Sequence, residues 1–163
     1  MTRRRTPRSR SKSTASDAPR RPDPTPLDVA AGILRRAART EAELSARLTA
    51  KGYQPSTAAT AVDRCRELGW VGDERLALDR AQSMRLRGAG SLKIAADLGA
   101  RGLSESLVDR AVDESLDGRC EADWARDALA RAGDRDGPRA WRLLASRGFP
   151  EDVITDVLGE IEA

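Results

Sequence analysis

Histidine is missing from this 163-residue chain altogether, and cysteine occurs only twice, as Cys65 and Cys120. The first absence removes the imidazole base on which Ser–His and Cys–His nucleophiles depend. With the two thiols so far apart in sequence, no set of zinc ligands is left either. Aromatic residues make up 3% of the chain, too little bulk for a large β core. No stretch approaches the ~18 uncharged apolar residues of a membrane span. No apolar segment follows the N-terminal arginines, as a secretory signal would require. A phosphate-cradling G-x-x-x-x-G-K-[S/T] loop is absent too. The close acid pairs Asp73–Glu74 and Glu151–Asp152 fall in first helical turns, where carboxylates stabilise the helix dipole. The expectation is a cytoplasmic, monomeric protein that is not an enzyme, does not enter a membrane and uses no metal or cofactor.

What the chain does have is charge, at 34% of residues, together with abundant alanine, leucine, arginine and glutamate, which favour helix. The net charge of +3 divides unevenly. Residues 1–26 hold eight basic side chains against two acidic ones, whereas residues 27–163 hold 21 against 24. Met1, Ala15 and Ala18 are the only apolar side chains, proline aside, in the first of these stretches. It cannot bury enough surface to offset its ordering entropy, so a disordered basic tail is expected over 1–26. Such a tail serves either to solvate the chain or to track nucleic-acid phosphates without reading sequence.

The remainder repeats. Leu48-Thr-Ala-Lys51-Gly52-Tyr53, Leu98-Gly-Ala-Arg101-Gly102-Leu103 and Leu144-Ala-Ser-Arg147-Gly148-Phe149 share the form L-x-x-[K/R]-G-apolar. Each reads as a helix end: a basic residue faces the negative end of the dipole, and glycine takes the left-handed position that closes the turn. Beyond each phrase the same helical stripe recurs: Thr57, Ala58, Ala61 and Val62, then Leu107, Val108, Ala111 and Val112, then Val153, Ile154, Val157 and Leu158. Pro55 and Pro150 suit the first turns of these helices, and Ser104 an N-cap.

Helices over 41–51, 91–101 and 137–147 precede the phrases, and longer ones over about 27–39, 73–87 and 120–132 precede those, with Asp73 as an N-cap. The result is an all-α chain of three tandem three-helix repeats, 27–71, 72–117 and 118–163. Units this small bury little alone, so they are expected to pack end to end into an elongated, curved array. Cys65 falls among buried alanines and valine, Cys120 at an exposed helix start, and Trp70, Trp124 and Trp141 in contexts that favour core packing. The structural helix ends are Gly52, Gly102, Gly148 and Asp73.

Basic residues are the lead to function. Arg35, Arg36 and Arg39 lie along the first helix, Arg75, Arg80, Arg85 and Arg87 along the fourth, and Lys93 begins the fifth. Singly each reads as a solvated helix position; as a group they can line one side of the array and face a polyanion or an acidic protein surface. These eight are the candidate partner-binding residues.

The order of these phrases resembles the RecX family of bacterial regulatory proteins. The match runs through Arg39-Thr40-x-x-Glu43-Leu44-x-x-x-Leu48, then Lys51-Gly52-Tyr53, and through the distinctive Leu68-Gly69-Trp70-Val71-Gly72-Asp73-Glu74-Arg75-Leu76-Ala77. Gly88, Gly90, Ile94, Leu98, Arg101-Gly102-Leu103 and Arg147-Gly148-Phe149 complete it. The chain departs from the family pattern at Gly72, Leu76, Arg80 and Met84, where two acids in succession, a phenylalanine, an aromatic and a basic residue respectively are usual. The resemblance implies a non-enzymatic modulator of the RecA recombinase. Such a protein lies in the groove of the RecA–single-stranded-DNA filament and restrains strand exchange, ATP hydrolysis and co-protease activity. Contact with the single strand itself would fall to the basic tail and repeat 1. Direct DNA binding through helix-turn-helix-like units is the competing reading. The acids of the third helices, Asp109, Asp113, Glu114, Asp156, Glu160 and Glu162, count against it.

Overall fold

A computed structural model describes residues 23–133 and 137–162. Among these, the chain forms nine helices and no strand: α1 (Pro26–Leu34), α2 (Glu41–Ala50), α3 (Pro55–Glu67), α4 (Asp73–Leu86), α5 (Ser91–Ala100), α6 (Glu105–Glu114), α7 (Glu121–Ala132), α8 (Gly137–Arg147) and α9 (Glu151–Glu162). Extensive helix packing stays within the groups α1–α3, α4–α6 and α7–α9. Each group encloses its own apolar cluster, as expected of repeats that contact only their neighbours.

Local sequence explains where helices start. Thr25 and Asp28 form a reciprocal capping box at α1, and Thr40 and Glu43 another at α2, so each pair satisfies backbone donors left over at a helix start. Hydrogen bonding to Thr25 holds the Asp28 carboxyl below the usual aspartate range. Helix α1 therefore begins at Pro26, within the stretch expected to be tail. It also ends at Leu34, well before residue 39, because Thr40 is extended (φ −71°, ψ 162°) to cap α2. Of the expected tail, residues 1–22 lie outside the described residues.

Helix ends follow the repeated phrase. Gly52, Gly102 and Gly148 have φ of +96°, +79° and +81°. The Tyr53 and Phe149 N–H groups reach back to the carbonyls of Leu48 (3.3 Å) and Leu144 (3.2 Å), the six-to-one bond of a Schellman cap. The third-helix stripes turn inward: Ala58, Ala61, Val62, Val108, Ala111, Val112, Ile154 and Val157 are buried. Thr57 is the exception and faces solvent. Cys65 is buried and Cys120 exposed, the latter occupying the N-cap position of α7.

Three expectations are corrected. Asp73 is not an N-cap: Gly72 holds that position, and the Asp73 carboxylate turns to the preceding repeat. Trp70 (47% exposed) and Trp141 (40%) lie outside the cores, because the apolar stripes of α3 and α8 are completed by alanine, valine and leucine. Only Trp124 is buried, at 7%; its Nε1 donates to the Leu116 carbonyl (3.2 Å) and Arg119 stacks on its ring at 4.4 Å. Leu116 thus packs on the third core although it precedes residue 118. Ser104 is the N-cap of α6, but its hydroxyl makes no bond to the helix.

Candidate partner-binding surface

Two junctions join the repeats, and they share a plan. In each, the C-terminus of one repeat's second helix abuts the N-terminus of the preceding repeat's second helix. At junction 1 the Thr40 hydroxyl donates to the Arg101 carbonyl (2.7 Å), and a Cβ on Gly102 would lie 2.7 Å from that of Ala42. At junction 2 the Gly90 and Leu92 N–H groups donate to the Arg147 (2.8 Å) and Gly148 (3.0 Å) carbonyls. There a Cβ on Gly148 would lie 2.5 Å from the Lys93 backbone nitrogen. The same glycines that close the helices are the points of close approach between repeats.

A second element recurs. The first residue of the next repeat's first helix is an acid that caps the preceding repeat's second helix. Asp73 accepts from the Glu41 N–H at 2.9 Å, and Glu121 from the Ser91 N–H at 2.8 Å. This is the role of Asp73: it serves the neighbouring helix rather than its own.

The junctions consume several of the cations singled out from the sequence. Arg85 is fully buried. It pairs with Glu121 (2.5 Å) and donates to the hydroxyls of Ser91 (2.9 Å) and Ser115 (3.2 Å), so it cannot face a partner. Arg80 is held bidentately by Asp97 at 2.8 and 2.9 Å. Asp97 is shared with Arg101, which reaches across junction 1 to Glu43 (3.1 Å). The hydrogen bonds from Arg80 and then Arg101 hold the Asp97 carboxyl below the usual aspartate range, and Asp97 in turn raises Arg80.

What is left is a smaller set. Arg35, Arg36, Arg87 and Lys93 are exposed and make no ion pair with any described residue. Arg35 and Arg36 leave the end of α1, while Arg87 and Lys93 flank the turn from α4 to α5. Both groups thus occupy the corner between first and second helix, in successive repeats. Lys51 joins Arg35 and Arg36 around one shallow depression whose remaining lining is Val29, Gly32 and Ile33, with no acid. Lys51 was read from sequence only as a helix end; its proximity to this corner depends on the packing of α1 against α2. Arg75 and Arg39 are intermediate cases. Arg75 is tied to Asp79 at 3.7 Å in full solvent, and Arg39 to Glu43 at 3.8 Å.

No group of acids and cysteines among the described residues is arranged to hold a metal. No helix among them is long and apolar enough to cross a membrane.

Comparison with known proteins places this architecture. Residues 27–65 match the model of the RecX first three-helix domain. The regulatory protein RecX of Stenotrophomonas maltophilia (strain K279a) is 35% identical over 157 residues, covering 87% of this chain and 93% of its own length. That of Chromohalobacter salexigens is 37% identical over 139 residues, covering 80% and 88%. The crystal structure of RecX from Lactobacillus salivarius superposes with a TM-score of 0.66 at 16% identity, covering 84% of this chain and 94% of that one; at that identity it supports the fold alone. Through the full-length sequence relatives, the chain belongs to the RecX family of regulatory proteins.

Proposed function

We propose that this chain binds the RecA filament on single-stranded DNA and restrains its recombinase, ATPase and co-protease activities by contact, without catalysis. The observation that carries this reading is the distribution of free charge. Many cations of the repeats, Arg64, Arg66, Arg80, Arg85, Arg101 and Arg110 among them, are paired within the chain, whereas Arg35, Arg36, Arg87 and Lys93 are exposed without an ion pair to a described residue, beside the turn from first to second helix in repeats 1 and 2. Two docked units that each display cations beside this turn suit a partner that is itself repetitive and acidic. The protein acts as a monomer in the cytoplasm, and the basic tail with repeat 1 touches the DNA strand.

The third helices argue against direct sequence reading by helix-turn-helix units, which needs a basic recognition helix. In α6, Asp109, Asp113 and Glu114 are exposed, and its one arginine, Arg110, is paired with Glu74 and Glu114. In α3, Arg64 and Arg66 are likewise paired with acids. The deciding measurement is RecA ATPase on single-stranded DNA with the protein titrated in. Inhibition at stoichiometric or lower ratios is expected, weakened when Arg87 and Lys93 are both changed to glutamate. Full ATPase activity at an equimolar ratio would overturn the reading.

A further inference from the structure

Beside junction 1 lies a crevice between the α1–α2 connection, the α3–α4 connection and the face of α4, lined among others by Arg39, Gly69, Trp70, Gly72, Arg75 and Asp79. Trp70 is 47% exposed there, with Leu68 (39%) beside it in sequence, and neither belongs to the apolar cluster of repeat 1. The fold does not need this ring inside, and tryptophan is enriched among residues that carry binding energy. The chain around it is open. A Cβ built on Gly69 or on Gly72 would meet nothing within 4 Å, so the backbone on both sides of Trp70 is uncrowded.

Two arginines frame the crevice with binding capacity to spare. Arg75 is 90% exposed, and its contact to Asp79 at 3.7 Å is itself solvent-exposed, so releasing it costs little. Arg39 lies 3.8 Å from Glu43, which is already engaged by Arg101 at 3.1 Å; its Nε is buried without a hydrogen-bond partner, and a ligand would meet the rest of the side chain, which is 26% exposed. An exposed ring that shares one crevice with two arginines is an arrangement that holds single strands, one base on the ring and phosphates on the cations. A protein carboxylate would engage one guanidinium and leave the indole face unused.

We propose that this crevice is a stacking site for single-stranded nucleic acid, with a base on Trp70 and the adjoining phosphates held by Arg39 and Arg75. It deepens the strand contact assigned above to the tail and repeat 1, moving part of it to the seam with repeat 2. The test uses the full chain without RecA, titrated at low salt with an oligothymidylate of about a dozen nucleotides. Tryptophan fluorescence and the anisotropy of the labelled oligonucleotide are both followed. Fluorescence quenching should persist in Trp141→Phe and vanish in Trp70→Ala, whose affinity falls about tenfold. Trp70→Tyr should restore most of that affinity. The Arg39→Gln, Arg75→Gln double variant should reduce the magnitude of the slope of log affinity against log salt by about 1.4, at ~0.7 for each lost phosphate contact. Unaltered affinity and quenching in folded Trp70→Ala would overturn the site. So would a poly-glutamate peptide that quenches Trp70 more strongly than the oligonucleotide does. Either result with ATPase inhibition intact leaves the filament reading standing, and seam binding without inhibition does the reverse.

Discussion

The two junctions follow one plan but are built from different materials. Junction 2 is buried: a fully buried arginine meets a carboxylate only 13% exposed, and two backbone N–H groups donate directly across the interface. Junction 1 uses a side-chain hydroxyl where junction 2 uses backbone. Its ion pairs form a ladder, Arg80–Asp97–Arg101–Glu43, whose members keep 24–34% of their side-chain surface in solvent. A buried pair is costly to break because the survivor is stranded, whereas a wetted ladder rehydrates when a rung is lost. Repeats 2 and 3 should therefore behave as one rigid block and repeat 1 as the more loosely attached unit.

The largest effect is expected from Glu121→Ala. It strands Arg85 with no countercharge and removes the cap on Ser91, so thermal or denaturant unfolding should register a loss of ~3 kcal/mol or more. A loss below ~1 kcal/mol would dissolve the contrast between the junctions. Next comes Gly102→Val at junction 1. A β-branched residue at φ +79°, pressed toward Ala42, should cost more than ~1 kcal/mol. An unchanged melting temperature would refute both the helix-end and the docking role of that glycine.

Smaller still is Arg101→Met, which removes the rung crossing junction 1 while keeping the aliphatic stem. Its cost should stay below ~1 kcal/mol and fade in high salt. The finest test is pH. The Asp97 carboxyl is held below its ordinary value of about 3.9 by Arg80 and Arg101. Its contribution is therefore fully present above that value and lost as pH falls through the lower, folded one. The stability gap between wild type and Asp97→Asn should be flat at neutral pH and close below about pH 4. A gap that stays constant to lower pH would mean that the ladder contributes through packing rather than charge.

How far these features are legible in sequence depends on their range. The glycine phrases and third-helix stripes are local: spacing along one chain segment reports which side is inward, and Ala58, Val108 and Ile154 are buried accordingly. Arg85 was readable in part. It lies four residues after Ala81 and eight after Ala77, on the stripe that α4 buries, yet its residue type favoured the surface reading. Its partner Glu121 is 36 residues away, and no periodicity connects the two. Trp70 and Trp141 were misplaced for a related reason. Trp70 lies in the connection after α3 and Trp141 within α8, each beside an apolar stripe that smaller residues already fill. The acid that caps a neighbouring helix, at Asp73 and Glu121 alike, looks in sequence like a cap for its own.

One consequence follows from Gly52. It ends α2 just as Gly102 and Gly148 end α5 and α8, yet a Cβ there would meet nothing within 4 Å. Where the other two glycines receive a neighbouring repeat, this one receives none among the described residues, and Tyr53 beside it instead donates to the Pro24 carbonyl (2.9 Å). A head-to-tail contact that does not close on itself has no intrinsic stopping point; only an end unlike the others halts the progression. The span of the described array is then a matter of counting: each copy adds one step beyond the tyrosine–proline clasp beside Gly52.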